Sequence, residues 1–237
     1  MKKPLGSILL MLALTFSAQA MAESLQEAKD AADAGEYAKA FSIYQTLASQ
    51  GDAKAQYNLG QMYFSGDGVA QDNNEAVKWY RLSAEQGFSE AQYTLGVLYF
   101  RQDVVPMDYA ESIKWYRLAA AQGHVKSQVN LGVVYYRGDV VPQDMAEAIK
   151  WYQLAAEQGN GEAQYNLGVI YANGEAVQQD LVKGSMWMIL GVENSDPRQK
   201  GRRAKMLNFT STKMSPEQIA EAKSLASKCR ENKFKGC

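Results

Sequence analysis

A chain of 237 residues fits one domain, two domains or an elongated array, and with 22% charged and 46% hydrophobic residues it is neither a disordered acidic tail nor a polytopic membrane protein. A single histidine, His124, and two cysteines, Cys229 and Cys237, exclude a His-rich zinc site, a four-cysteine cluster and a Cys-dense scaffold. The formal net charge of −1 hides a division: residues 23–196 hold 12 Lys/Arg against 23 Asp/Glu, and residues 197–237 hold 11 against 3.

The first 22 residues read as a secretory signal. Lys2 and Lys3 precede an apolar stretch from Leu5 through Phe16, and small residues then lead to cleavage after Ala20 or Ala22. The apolar run falls short of the roughly 20 residues that a bilayer-spanning helix needs. With no cysteine at the cleavage site, a lipid anchor is not expected, and the mature chain is placed in the periplasm or outside the cell, with no transmembrane segment. Residues 23–51 then form a shorter helix pair. Leu25, Ala28 and Ala32 lie on one helix, Ala40, Phe41, Tyr44 and Ala48 on the other, and Gly35-Glu36 joins them.

Residues 52–194 repeat with a period of 36. Trp79, Trp115, Trp151 and Trp187 mark it, as do Gly51, Gly87, Gly123 and Gly159. The segment Ala55-Gln56-Tyr57-Asn58-Leu59-Gly60 returns as Ala91 to Gly96, Ser127 to Gly132 and Ala163 to Gly168. Each copy reads as two helices. On the first, Ala55, Leu59, Met62 and Tyr63 make one apolar face. Gly60 sits beside that face, where a helical glycine costs about 1 kcal/mol relative to alanine, so its return as Gly96, Gly132 and Gly168 implies close approach of the second helix.

The second helix starts at Asp72, Asp108, Asp144 and Asp180. Glu75, Glu111 and Glu147 follow three residues later and complete a reciprocal capping pattern, which Lys183 breaks in the fourth copy. The links lack the alternating oxygen ligands of a calcium loop, so these acids are read as caps. A core stripe such as Ala76, Trp79, Tyr80, Ser83 and Ala84 follows, and the Gly87-type residue ends the helix in a left-handed turn. Val69, Val105, Val141 and Val177 plug the links into the core, and Gly184, at the position of Ala76, Ser112 and Ala148, is expected to loosen the fourth copy.

These residues resemble the Sel-one-like repeat of the tetratricopeptide superfamily: Ala-x-x-x-Leu-Gly-x-x-Tyr, a link, then Asp-x-x-x-Ala-x-x-Trp-Tyr-x-x-Ala-Ala-x-x-Gly. The resemblance implies an all-α, right-handed α-solenoid of about six antiparallel helix pairs, acting as an adaptor for other proteins. Residues 195–237 form the helical cap that such an array needs over its last apolar face. Asp196-Pro197 and Ser215-Pro216-Glu217-Gln218 start its two helices, with Ile219, Ala222, Leu225 and Ala226 facing inward. On one continuous helix Cys229 and Cys237 would stand about 12 Å apart, too far to bridge. The helix is therefore expected to end between them, at Asn232 or Gly236, and the pair to form a disulfide in an oxidising compartment.

No nucleophile elbow, phosphate loop, zinc motif or dinucleotide fingerprint appears, and His124 reads as an exposed loop residue, so no catalytic residue, metal or other cofactor is expected. Binding has candidates on the first helices: Tyr57, Asn58 and Gln61; Tyr93, Thr94 and Val97; Val129, Asn130 and Val133; Tyr165, Asn166 and Val169. An arc that should be polar mixes aromatic, amide and aliphatic groups there, which reads as a contact surface for a protein or peptide. In tetratricopeptide relatives the first helices line a concave groove, and the resemblance places the partner there. The opposing expectation is that the tyrosines pack on the next repeat and the asparagines bond between helices. Arg198, Lys200, Arg202, Arg203 and Lys205 form a basic cluster suited either to an anionic partner or to a solvated helix face. Nucleic acid is not expected of an exported chain. The sequence thus favours a non-enzymatic adaptor, against the alternatives of a cell-wall-active or β-lactam-hydrolysing enzyme and a secreted host-interaction factor.

Overall fold

The computed structural model describes residue 20, residues 22–102 and residues 104–237, so the proposed signal lies almost entirely outside the described residues. Among them there are twelve helices and no strand. They are α1 (residues 22–33), α2 (Tyr37–Ser49), α3 (Ala53–Ser65), α4 (Asn73–Glu85), α5 (Ser89–Phe100), α6 (Tyr109–Ala121), α7 (Val125–Arg137), α8 (Met145–Ala156), α9 (Gly161–Asn173), α10 (Leu181–Glu193), α11 (Pro197–Ser211) and α12 (Pro216–Glu231). Two compact units contain them, divided between Asp108 and Tyr109. No helix among the described residues is long and apolar enough to cross a membrane.

In the first unit α1 and α2 make the short N-terminal pair, turning at Gly35, whose φ is +79°. Ala28, Ala31, Ala40, Tyr44, Leu47 and Ala48 form its core together with Ala55, Leu59 and Met62 of α3. The small side chains let backbones approach, and the leucines and rings fill the space between them.

Antiparallel pairing follows from the register of the contacts. In α3 and α4, the Asp72 N–H donates to the Tyr63 carbonyl at 2.9 Å, a Cβ placed on Gly60 would meet the Tyr80 ring at 2.8 Å, and the Ser83 hydroxyl donates to the Ala53 carbonyl at 2.6 Å. The second unit repeats the pattern in α7 with α8, where Asp144 N–H meets the Tyr135 carbonyl at 3.0 Å and a Cβ on Gly132 would strike Tyr152 at 2.5 Å. Gly60 and Gly132 are therefore seats of a tyrosine ring, and Gly168 faces Met188 and the Gly184 carbonyl, each a close approach of the second helix.

The reciprocal caps do not form. Asp72 Oδ1 accepts from the Asn74 and Glu75 N–H groups, Asp144 from Glu147 and Asp180 from Lys183, so the aspartate half holds. The glutamates turn the other way: Glu75, Glu111 and Glu147 pair with Lys78, Lys114 and Lys150 at 2.9, 2.8 and 2.8 Å. The cause is backbone competition. The N–H that each glutamate would reach, on Asp72, Asp108 and Asp144, already donates to the carbonyl of Tyr63, Tyr99 and Tyr135.

Gly184 does the opposite of loosening the fourth copy. A Cβ there would lie 2.7 Å from the Ala172 nitrogen and 2.9 Å from the Gly168 oxygen, so α9 and α10 touch backbone to backbone. Trp187, Met188 and Leu190, all essentially inaccessible, fill the flanks of that contact.

A glutamine that sequence reading passed over joins successive pairs. Gln56, Gln92, Gln128 and Gln164 are buried, and each amide donates to the carbonyl of Ala48, Ala84, Ala120 or Ala156 at the end of the preceding helix, at 3.2, 3.0, 3.1 and 3.1 Å. Their oxygens receive the amides of Gln86 on Gln56, Gln158 on Gln128 and Asn194 on Gln164. Each of these alanine carbonyls also accepts the N–H of the glycine that ends its helix, so the amide takes its second lone pair.

Two helices follow the repeats. Asp196 caps α11, a full capping box between Ser215 and Gln218 starts α12, and Ala222 and Ala226 are buried beneath it. The helix ends at Asn232, positive φ angles follow at Lys233, Phe234 and Gly236, and the turn brings Cys237 back to bond Cys229.

Burial raises the pKa of the Tyr80 and Tyr152 phenols well above the ordinary value of about 10. A raised phenol keeps its proton in the folded state while the unfolded chain ionises, so stability is intact below pH ~10 and falls as pH rises above it. Tyr80→Phe is expected to leave the urea midpoint at pH 7 nearly unchanged and to lessen its fall between pH 9 and 11.

Candidate partner-binding surface

In the first unit the expected face is built by α3 and α5. Tyr57 is half-buried: its ring lies 5.6 Å from that of Tyr80 and 5.3 Å from that of Phe88, and its hydroxyl accepts from the Gln61 amide at 3.0 Å. One ring face is thus spent on the fold and the rest stays reachable. Asn58 is half-buried and Gln61 exposed. On α5, Tyr93, Thr94 and Val97 are also half-buried, and the Thr94 hydroxyl is turned onto its own helix, donating to the Glu90 carbonyl at 2.8 Å. Burial raises the Tyr93 phenol, with the Arg101 charge opposing and Tyr57 adding to the rise.

The second unit holds the remaining candidates on α7 and α9. Asn130, Val133, Tyr165, Asn166 and Val169 are half-buried, but Val129 is buried at 6% exposure. A valine at the tyrosine position is too short to project past its neighbours, so Val129 belongs to the packing and not to the exposed face. Asn166 is partly spent, because it hydrogen-bonds the Tyr152 hydroxyl and so lowers a pKa that burial and Glu162 raise. At these positions the rings and amides pack within the repeats and keep a partly exposed edge.

The second helices present a different surface. Their exposed positions carry the Glu–Lys pairs already described, and the lysines lie over the repeated tryptophans, Lys114 5.3 Å from Trp115 and Lys150 5.2 Å from Trp151. Arg81 and Arg117 donate to the hydroxyls of Tyr99 and Tyr135 on the next first helix. Charge is thus concentrated on one helix of each pair.

The basic cluster separates into unlike members. Arg198 is closed onto Asp196, whose carboxyl is held below its usual range by that guanidinium. Arg203 is buried at 6% exposure, stacks 5.2 Å from the Tyr165 ring and donates to Ser195 at 2.8 Å and Gln199 at 3.2 Å. Desolvation lowers its pKa, with Glu162 and Tyr165 opposing. Arg203 is a structural rivet of the cap and not part of an anion site. Lys200, Arg202 and Lys205 remain exposed.

Sequence reading missed two features. His124 is the N-cap of α7, half-buried, its Nδ1 accepting from the Ser127 N–H at 3.2 Å, which corrects its reading as an exposed loop residue. The 36-residue register was the available signal, since His124 falls where Asp52 and Asn160 cap α3 and α9. Met206 and Phe209 stand exposed on α11 beside the cations, and apolar residues on so basic a helix were the sign of it.

The Sel1 repeat family model matches residues 53–88, 89–124, 125–160 and 161–196. Among solved structures, c5321, a protective antigen of uropathogenic Escherichia coli strains displaying an SLR fold, is 34% identical over 83% of this chain, with a TM-score of 0.71. The chain spans 42% of that protein's length. A Sel1 repeat protein from Oxalobacter formigenes is 29% identical, with a TM-score of 0.70, over 86% of this chain and 84% of its own. A further one from Klebsiella pneumoniae, at 21% identity and a TM-score of 0.50 over 82% and 95%, shares the fold. No curated protein matches the sequence.

Proposed function

Since the chain belongs to the Sel1 repeat family, whose members are generally protein-interaction scaffolds, we propose that it is a non-enzymatic adaptor binding a segment of another protein along the first-helix faces of its repeats. The observation that carries this reading is the asymmetry between the helices of each pair. Three second helices carry exposed Glu–Lys pairs beside single exposed leucines, Leu82, Leu118 and Leu154, whereas the first helices group tyrosine, amide and valine edges at Tyr57, Asn58, Tyr93 and Val97, and at Asn130, Val133, Tyr165 and Val169. Rings held on one side by the fold lose little entropy on binding and offer both apolar area and a polar tip.

We further propose that the protein works in the periplasm or as a secreted protein. A disulfide between Cys229 and Cys237 suits an oxidising compartment, and the residues up to Ala22 have the composition of a cleavable signal. The likeness to a protective antigen favours a second setting for the same activity, a surface exposed to a host.

Photo-crosslinking in the native cell tests the binding face. Crosslinkers at positions 61 and 94 are expected to capture the same protein, and Tyr93→Ala to reduce that capture about tenfold while the thermal midpoint moves by no more than a few degrees. Capture from position 78 on α4 with none from 61 or 94 would refute the assignment.

A further inference from the structure

The cap carries a second, chemically distinct recognition element. Tyr165, Arg202, Lys205, Met206 and Phe209 line a cleft of about 470 Å³ within the second unit. Helix α11, PRQKGRRAKMLNFTS, holds five basic residues and no acidic one. Two of the five are consumed locally, Arg198 by Asp196 and Arg203 by Tyr165, Ser195 and Gln199. Arg202 and Lys205 make no ion pair or hydrogen bond with any described residue. Between them and Tyr165 lie apolar groups in unusual exposure, Phe209 at 57% and Met206 at 42%. Lys213 sits 4.6 Å from the Phe209 ring and adds positive potential to the same place.

Exposed cations and exposed rings have opposite reasons to bind: the cations seek an anion, the rings seek to leave water. One ligand satisfies both only if it alternates the two. We propose that this cleft docks an acidic segment of the partner protein that carries an aromatic or large aliphatic side chain. Its carboxylates meet Arg202 and Lys205, and its apolar side chain enters between Tyr165, Met206 and Phe209. Charge complementarity singles out an acidic occupant. The Arg203 stack fixes the Tyr165 wall in advance, so little order is lost on binding. Because Tyr165 is also a candidate on the first helices of the second unit, this inference rests on those helices binding a partner and names the chemistry of what lies beside Tyr165.

The test is fluorescence anisotropy with a labelled peptide holding one phenylalanine among glutamates, compared with peptides in which Phe is replaced by Ser or Glu by Gln. The acidic Phe peptide is expected to bind best and to weaken with salt. Arg202→Glu with Lys205→Glu should reduce its affinity about tenfold or more, and Phe209→Ser about fivefold. Arg198→Ala should leave it unchanged. All these sites are exposed, so an unaltered thermal midpoint certifies the variants. Equal binding of the Gln peptide, indifference to the double charge reversal, or binding to phosphatidylglycerol vesicles and not to the peptide would overturn the proposal. Tyr93→Ala separates the two readings. It should spare the peptide while lowering capture from positions 61 and 94, so loss of peptide binding in this variant sinks the cap cleft and undiminished capture sinks the repeat face.

Discussion

Gly184→Ala is expected to destabilise the protein by about 2–3 kcal/mol, whereas the same exchange at Gly201 stabilises it by about 0.5–1 kcal/mol. Both glycines lie inside helices, so propensity favours alanine equally at each. Space decides the sign. The added methyl at Gly184 would stand 2.7 Å from the Ala172 nitrogen and 2.8 Å from its Cβ, and with backbone on the far side it can be admitted only by moving α10 away from α9. At Gly201 nothing lies within 4 Å, so only the entropy of the unfolded chain changes. Urea unfolding followed by far-UV circular dichroism, with a fixed slope, reads both effects. Equal shifts of one sign would show that α9 and α10 do not pack as closely as described.

Gln164→Leu should cost about 3 kcal/mol although it puts an apolar side chain of similar size into a site with no exposure. The loss is not of volume. Gln164 donates to the Ala156 carbonyl and accepts from the Asn194 amide, so leucine would leave that carbonyl only its Gly159 N–H and take the acceptor from the Asn194 amide, breaking the joint on both sides. Gln164→Glu distinguishes the two bonds, because a carboxylate still accepts from Asn194 but opposes the Ala156 carbonyl. Its stability should recover as pH falls through the acid's pKa and the protonated carboxyl donates again. Thermal midpoints at pH 4.5 and 7 check this, and a midpoint for Gln164→Leu within a degree of the parent would remove the glutamine from the account.

Period and polarity carried most of the fold. Tryptophan and glycine at 36-residue spacing located the helix pairs, and Ser215-Pro216 with Gln218 located the last helix, because those residues act within one turn of chain. What escaped depended on partners distant in sequence. Glu75 fits a reciprocal cap until the Tyr63 carbonyl takes the N–H it would need. Gly184 reads as weakness until Gly168 is found opposite it, since two glycines facing each other are a contact that neither reveals alone. The exposure of the candidate surface was legible by position and not by degree: the first-helix arc holds mostly half-buried residues, but only three-dimensional packing distinguishes Val129, covered by its neighbours, from Val133 one turn on. Arg203 escaped for the same reason, a guanidinium stacked on Tyr165 from another helix.

The glutamine bridges give the array a property of its own. Each copy ends in an alanine carbonyl that takes its own glycine N–H and also the amide with which the next copy begins, as Ala84 with Gln92 and Ala156 with Gln164. Plug and socket are the same in every copy, so the joint does not distinguish one neighbour from another. A lineage that duplicates or deletes one period rejoins the chain at a matching seam, and the number of units can drift while the surface residues diverge.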